Sequence, residues 1–119
     1  MSWKNAAIAV ALMGALANGV AAAEAPAAFR QCAPCHSTVS GSNGVGPSLA
    51  GVYGSKAGSR PGYKYSDKMV NSGLTWDVAT LLKFLADPKG TVSGSKMAFA
   101  GLKRPDDVAA IIEYLKTLR

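Results

Sequence analysis

The sequence predicts an all-α domain: three main helices, a few short helical pieces and long irregular loops. Two amphipathic patterns carry this expectation. Val78, Leu81, Leu82 and Leu85 recur at i, i+3, i+4 and i+7, and Val108, Ile111, Ile112, Leu115 and Leu118 follow the same period. Each set defines one apolar face of a helix. The third observation is negative, since no run alternates apolar and polar residues as a half-buried strand would.

Residues 1–23 read as an export leader rather than as part of the fold. Met1 to Asn5 is a short, positively charged start, Ala6 to Val20 is apolar and alanine-rich, and Ala21-Ala22-Ala23 offers an A-x-A cleavage site. An uncleaved membrane anchor is the alternative. Ala6 to Ala23 has the eighteen residues of a minimal crossing, but Gly14, Asn18 and Gly19 interrupt it. Cleavage after Ala23 leaves residues 24–119 as one small domain whose own core would be marginal. Its charge would be +5, from twelve Lys and Arg against seven Asp and Glu. There is no basic run of five or more, so an exported chain with this charge points to an acidic protein partner and not to nucleic acid.

The first helix is expected over Glu24 to Gln31, with Pro26 in its first turn and Phe29 facing inward. Ser37 to Gly46 is rich in Ser and Gly and reads as a loop, and Gly46 to Gly54 continues it irregularly. Ser66 caps a short helical piece that Gly73 stops. Thr75 is the expected cap of the next helix, with Asp77 complementing its dipole and Asp87-Pro88 ending it. Lys89 to Lys103 reads as irregular. The last helix opens at Pro105, with Asp106 and Asp107 in its first turn and Lys116 and Arg119 at its negative end.

The chemistry lies in Cys32-Ala33-Pro34-Cys35-His36, which holds both cysteines and the only histidine. C-x-x-C-H is the spacing of covalent haem attachment. Two thiols one tight turn apart can each add to a vinyl group of a porphyrin, and the next residue then presents an imidazole to the iron. A zinc site needs about four ligands, and this chain offers only these three of the soft or imidazole type. A redox dithiol belongs in a βαβ context that is missing here. The Pro47 carbonyl is a capable acceptor for the second nitrogen of His36, and Leu49 is a natural haem-packing residue. Of the four methionines, Met97 stands in a glycine-rich loop with no periodic reason to be core, which makes it the candidate second ligand. Met69 reads as core filler.

The ordered series of motifs resembles a class I cytochrome c of the mitochondrial and soluble bacterial type, over Ala25 to Leu118. It runs from Phe29 and C-x-x-C-H through Gly46-Pro47-x-Leu49-x-Gly51 and Pro61-Gly62-Tyr63-x-Tyr65-Ser66. It continues with Leu74-Thr75-Trp76, Leu85-x-x-Pro88-Lys89, Lys96-Met97-x-Phe99-x-Gly101 and Tyr114-Leu115. The resemblance implies the small cytochrome c fold wrapped around one covalent haem c. Cys32 and Cys35 would form the thioethers, and His36 and Met97 would be the axial ligands. Tyr65 and Trp76 would donate to a haem propionate. Lys89, Lys96 and Lys103 would surround the exposed haem edge near Phe99. The chain departs from the family at four places. Ser55 replaces a propionate-supporting arginine, for which Arg60 or Lys56 would have to substitute, and Phe84 replaces a tyrosine near the methionine sulfur. Met69 replaces an asparagine, and Ala25 replaces a glycine that meets the last helix.

The expected function is that of a monomeric, periplasmic single-electron carrier and not an enzyme. It would work without a small-molecule substrate, between respiratory or photosynthetic partners such as a membrane cytochrome complex, an oxidase or a reaction centre. Two other readings stay open at this point. One is a membrane-tethered carrier or oxidase-associated subunit that keeps residues 1–23. The other is an open-haem enzyme with peroxidase-like activity, although a second histidine for acid–base help is missing.

Overall fold

The computed structural model describes residues 23–119, so the expected leader lies almost entirely outside the described residues. The chain begins with a tight 3-10 turn over Ala27–Gln31. Four helices follow: α1 over Asp67–Val70, α2 over Val78–Ala86, α3 over Pro88–Thr91 and α4 over Pro105–Thr117. Among the described residues the only β pairing is one antiparallel bridge between Lys56 and Thr75. Among the described residues no helix is long and apolar enough to cross a membrane.

Several boundaries differ from the expectation for local reasons. The first element is a 3-10 turn, with Pro26 as its flanking residue and not inside it. Its i→i+3 bonding lets the chain reach the cysteine motif within five residues. Ala25 is exposed, and Phe29 makes the contact with the last helix. Asp77, not Thr75, caps α2, because its carboxylate accepts from the Thr80 amide at 2.8 Å. Thr75 lies two residues before that cap, in the bridge to Lys56 whose bonds run through its neighbours Leu74 and Trp76. Asp87-Pro88 ends α2 and at once starts α3, where Asp87 accepts from the Gly90 amide and Pro88 takes the first-turn position that needs no N–H. Ser66 caps α1 through the Met69 amide, as its sequence position implies.

The buried face of α2 is Leu81, Phe84 and Leu85, while Val78 and Leu82 are exposed. The apolar stripe is rotated toward Phe84 because that ring packs on Trp76, with centroids 4.8 Å apart. The expected face of α4 is observed, with Val108, Ile111, Ile112, Leu115 and Leu118 all buried. α2 packs on both α3 and α4, and α4 also holds the N-terminal turn. There Phe29 meets Tyr114 edge to face at 5.0 Å, a geometry that aligns the positive ring edge with the partner's negative face. These side chains form one cluster.

Candidate functional site

The inner faces of these elements enclose a cavity of about 240 Å³ rather than closing on each other. Leu81, Leu85, Ile111 and Leu115 line it from α2 and α4, and Val52 and Leu49 line it from the loops. Cys32, Cys35, His36 and Met97 line the same space.

The cysteine motif is shaped by two successive backbone turns. The amides of Cys32 and Ala33 donate to the Phe29 carbonyl, and those of Cys35 and His36 donate to the Cys32 carbonyl. This brings two thiols and an imidazole to one wall. Cys32 is buried and Cys35 exposed. Burial first, and neighbouring Cys35 second, push the Cys32 thiol up, so it is held protonated. Among the described residues no three His, Cys, Asp or Glu converge to hold a bare metal ion.

His36 Nδ1 lies 2.7 Å from the Pro47 carbonyl oxygen. A carbonyl only accepts, so Nδ1 carries a proton, and in the neutral ring Nε2 is then the nitrogen with the lone pair. The next segment is laid against this ring. Gly46 donates its amide to the Cys35 carbonyl at 2.8 Å. A Cβ on Gly46 would stand 2.5 Å from His36 Cε1 and 2.9 Å from Nδ1, so only a glycine lets the backbone approach so closely.

Met97 is half-buried and hangs on a loop fixed at both ends. Upstream, Val92 is buried and its amide closes α3 on the Pro88 carbonyl. Downstream, the Leu102 amide donates to the Leu85 carbonyl at 2.8 Å. Gly101, at φ +111°, lies against the Ala86 carbonyl, where a Cβ would collide with that oxygen. In the middle, Lys96 Nζ donates to the Lys64 carbonyl at 2.7 Å, drawing the loop toward the Tyr63–Ser66 segment.

Pro47, Leu49, Tyr65, Trp76 and Phe99 all line the cavity. The Tyr65 hydroxyl accepts the Arg60 amide at 3.2 Å, which leaves its own proton to donate elsewhere. Burial is the larger influence and pushes this phenol up, so it stays protonated. Of the three lysines only Lys96 reaches the cavity. Lys89 is exposed on α3, and Lys103 is exposed and donates to the Ala100 carbonyl.

Neither proposed substitute for the missing arginine lines this space. Arg60 turns away and donates through Nη1 to the Gly51 carbonyl at 2.6 Å, Lys56 is exposed, and Ser55 donates to the Val52 carbonyl. Met69 and Phe84 both line the cavity, so two of the four departures from the family pattern fall in its wall. Sequence reasoning did not mark Gly46 as the residue that seats the imidazole. Its signal was available, since a glycine directly before the accepting proline is where close approach would be needed.

A fold of short helices and long loops closed around an apolar chamber, with two thiols and an imidazole on one wall, defines a c-type cytochrome. The family model for cytochrome c matches residues 20–119. The chain is 65% identical over 97 residues to cytochrome c2 iso-2 of Magnetospirillum molischianum, covering 82% of this chain and all of that one. It is 53% identical over 97 residues to cytochrome c2 of Rhodoplanes tepidamans, covering 81% and 99% of the two chains. Cytochrome cH from Methylobacterium extorquens has a similar structure, with a TM-score of 0.71 at 53% identity over 76% of this chain and 91% of that one. The chain belongs to the cytochrome c family and is a class I c-type cytochrome.

Its family binds one covalent haem c, and the protein is an electron carrier that works with redox protein partners, not an enzyme. The residues present fit that group: the chamber is apolar, the imidazole is oriented with a free Nε2, and a thioether lies on a separately anchored loop.

Proposed function

We propose that Cys32 and Cys35 carry the haem through thioether bonds, with His36 Nε2 and Met97 Sδ as its axial ligands. The single observation that carries this reading is the Nδ1–H bond from His36 to Pro47, which presents Nε2 to the chamber that Met97 also lines. When bound, the haem supplies a one-electron ferric–ferrous couple whose potential a thioether ligand raises. Pro47 holds the imidazole in one tautomer and orientation and increases its basicity. Tyr65 and Trp76 offer neutral donors to a propionate, whose charge would be costly to bury without partners.

The chain works as a monomeric carrier in the periplasm after removal of residues 1–23. Acidic faces of a membrane cytochrome complex, an oxidase or a reaction centre meet Lys89, Lys96 and Lys103 beside Phe99. Its relatives named cytochrome c2 and its basic charge support this reading. Docking of this kind is weak, wet and fast, and it depends on salt. The test is the absorption spectrum of the purified protein in both redox states, with the mass of the mature chain. Retention of the pigment in acidic organic solvent and a near-infrared sulfur–iron band in the ferric state are expected. A high-spin ferric spectrum would remove Met97 from the iron, and a pigment that washes out would remove the thioethers. An intact leader would replace the free carrier with a tethered one.

A further inference from the structure

Residues 25–66 contain no aspartate or glutamate but hold Arg30, Lys56, Arg60 and Lys64. Within this acid-free stretch lies a second cavity, of about 120 Å³, between the 39–44 loop and the turn at Arg60-Pro61. That volume takes several waters or one tetrahedral anion. Its lining includes Ser40, Gly41, Asn43, Ser48 and Arg60 and no carboxylate. Arg60 is half-buried. Among the described residues only its Nη1 has a protein acceptor, the Gly51 carbonyl, and the one ion pair is Lys116 with Glu113. The remaining guanidinium donors therefore have no anionic partner. Asn43 Oδ1 accepts the Ser48 amide and one Nδ2 proton goes to the Pro61 carbonyl at 3.2 Å, which leaves the other free. Among the described residues neither the Ser40 hydroxyl nor the Ser40 and Gly41 amides have an acceptor.

We propose that this cleft is an oxyanion site that takes a phosphate group. A planar, always-charged guanidinium with open donors, faced by a hydroxyl and by backbone and amide N–H groups, is the donor set a phosphate recognises. The site is separate from the haem chamber but adjoins both of its polar supports. Asn43 holds Ser48, the neighbour of Pro47, and the Arg60 amide holds the Tyr65 hydroxyl. Two sources share this chemistry, free phosphate and a phospholipid headgroup. Exposed Val39 and Val45 flank the loop and would suit the second.

The test is an amide-resolved NMR titration of the reduced holoprotein with inorganic phosphate, exchanged against chloride at constant ionic strength. Saturable shifts are expected at Ser40, Gly41, Asn43 and Arg60. Arg60→Gln should weaken binding at least about tenfold, the usual consequence of losing one charge-assisted contact. Because Arg60 also braces Gly51, Ser40→Asp provides a second variant. It places a carboxylate at the exposed rim, breaks no side-chain bond among the described residues, and should abolish the response, whereas Lys64→Gln should leave it intact. Binding to phosphatidylglycerol vesicles that phosphate displaces and Ser40→Asp removes would support the site with a headgroup as its source. Phosphate binding without vesicle binding would support it with the free anion. Shifts spread over the lysines, equal effects of chloride, or an unaffected Ser40→Asp variant would mean an adventitious ion only and overturn the proposal.

Discussion

Replacing Gly46 by alanine tests how the imidazole is seated. The added Cβ would stand 2.5 Å from His36 Cε1, 2.9 Å from Nδ1 and 3.1 Å from Nε2. Ordinary contact begins at 3.4 Å, so the ring or the backbone must yield by about 0.9 Å at the closest atom. The backbone is poorly placed to do so, because the Gly46 amide is bound to the Cys35 carbonyl and residue 47 supplies the acceptor for Nδ1. If the ring yields, the 2.7 Å bond to Pro47 stretches toward the limit of a useful hydrogen bond. Overpacking of this size costs about 1–3 kcal/mol. For a domain of this length each kcal/mol lowers the midpoint by about 4–8 °C. The assay is thermal unfolding of the holoprotein together with its ferric electron paramagnetic resonance spectrum, which reads the orientation and strength of the axial imidazole. A lower melting temperature and a changed spectrum are expected together. An alanine variant with the parent's melting temperature and spectrum would refute the close packing of Gly46 on His36 and its role in seating the ligand.

Gly101→Ala should be more damaging to stability, by about 2–4 kcal/mol in denaturant titration, because it combines a left-handed backbone with a collision at the Ala86 carbonyl. Phe29→Ala should cost about 3–5 kcal/mol as a buried aromatic truncation that also removes the edge contact with Tyr114, again read from the denaturant midpoint. The Thr80 amide holds the Asp77 carboxyl below its ordinary value. The stabilisation this cap gives is therefore present above the unfolded carboxyl's pKa and is lost as pH falls through the lower, folded one. Asp77→Asn should flatten that acid limb in melts recorded across pH. Lys89→Glu should slow reaction with an acidic redox partner several-fold at low salt and reduce the salt dependence of the rate, while leaving the absorption spectrum unchanged. An unchanged rate would exclude Lys89 from the docking face.

Much of the site was legible because its chemistry is local in sequence. C-x-x-C-H needs only one turn to bring its three groups together, and two chain turns on Phe29 and Cys32 supply that turn. The helices were legible wherever one face is apolar throughout, as in α4. They were misjudged where a tertiary neighbour decides the face. Leu82 has the right period but is exposed, because Phe84 turns α2 toward Trp76. The cap of α2 went to Asp77 because the pairing of Thr75 with Lys56, nineteen positions away and invisible to local pattern, keeps this segment extended and the helix starts only at Val78. Arg60 shows the same limit. A cation near the right place in the sequence turned to a backbone carbonyl and a different cleft.

The two proposed iron ligands belong to different mechanical parts of the molecule. His36 moves with the N-terminal turn through Phe29 and Cys32, whereas Met97 hangs from an arch with one footing on the end of α2 and the other on α3, which α2 supports. α4 is the one helix that packs against both parts. The jaws of this vice are therefore set by a spine that braces the supports of both. Slackening at Tyr114, whose ring meets Phe29, should let the part that carries the imidazole shift against the spine while the arch that carries the sulfur keeps its footings.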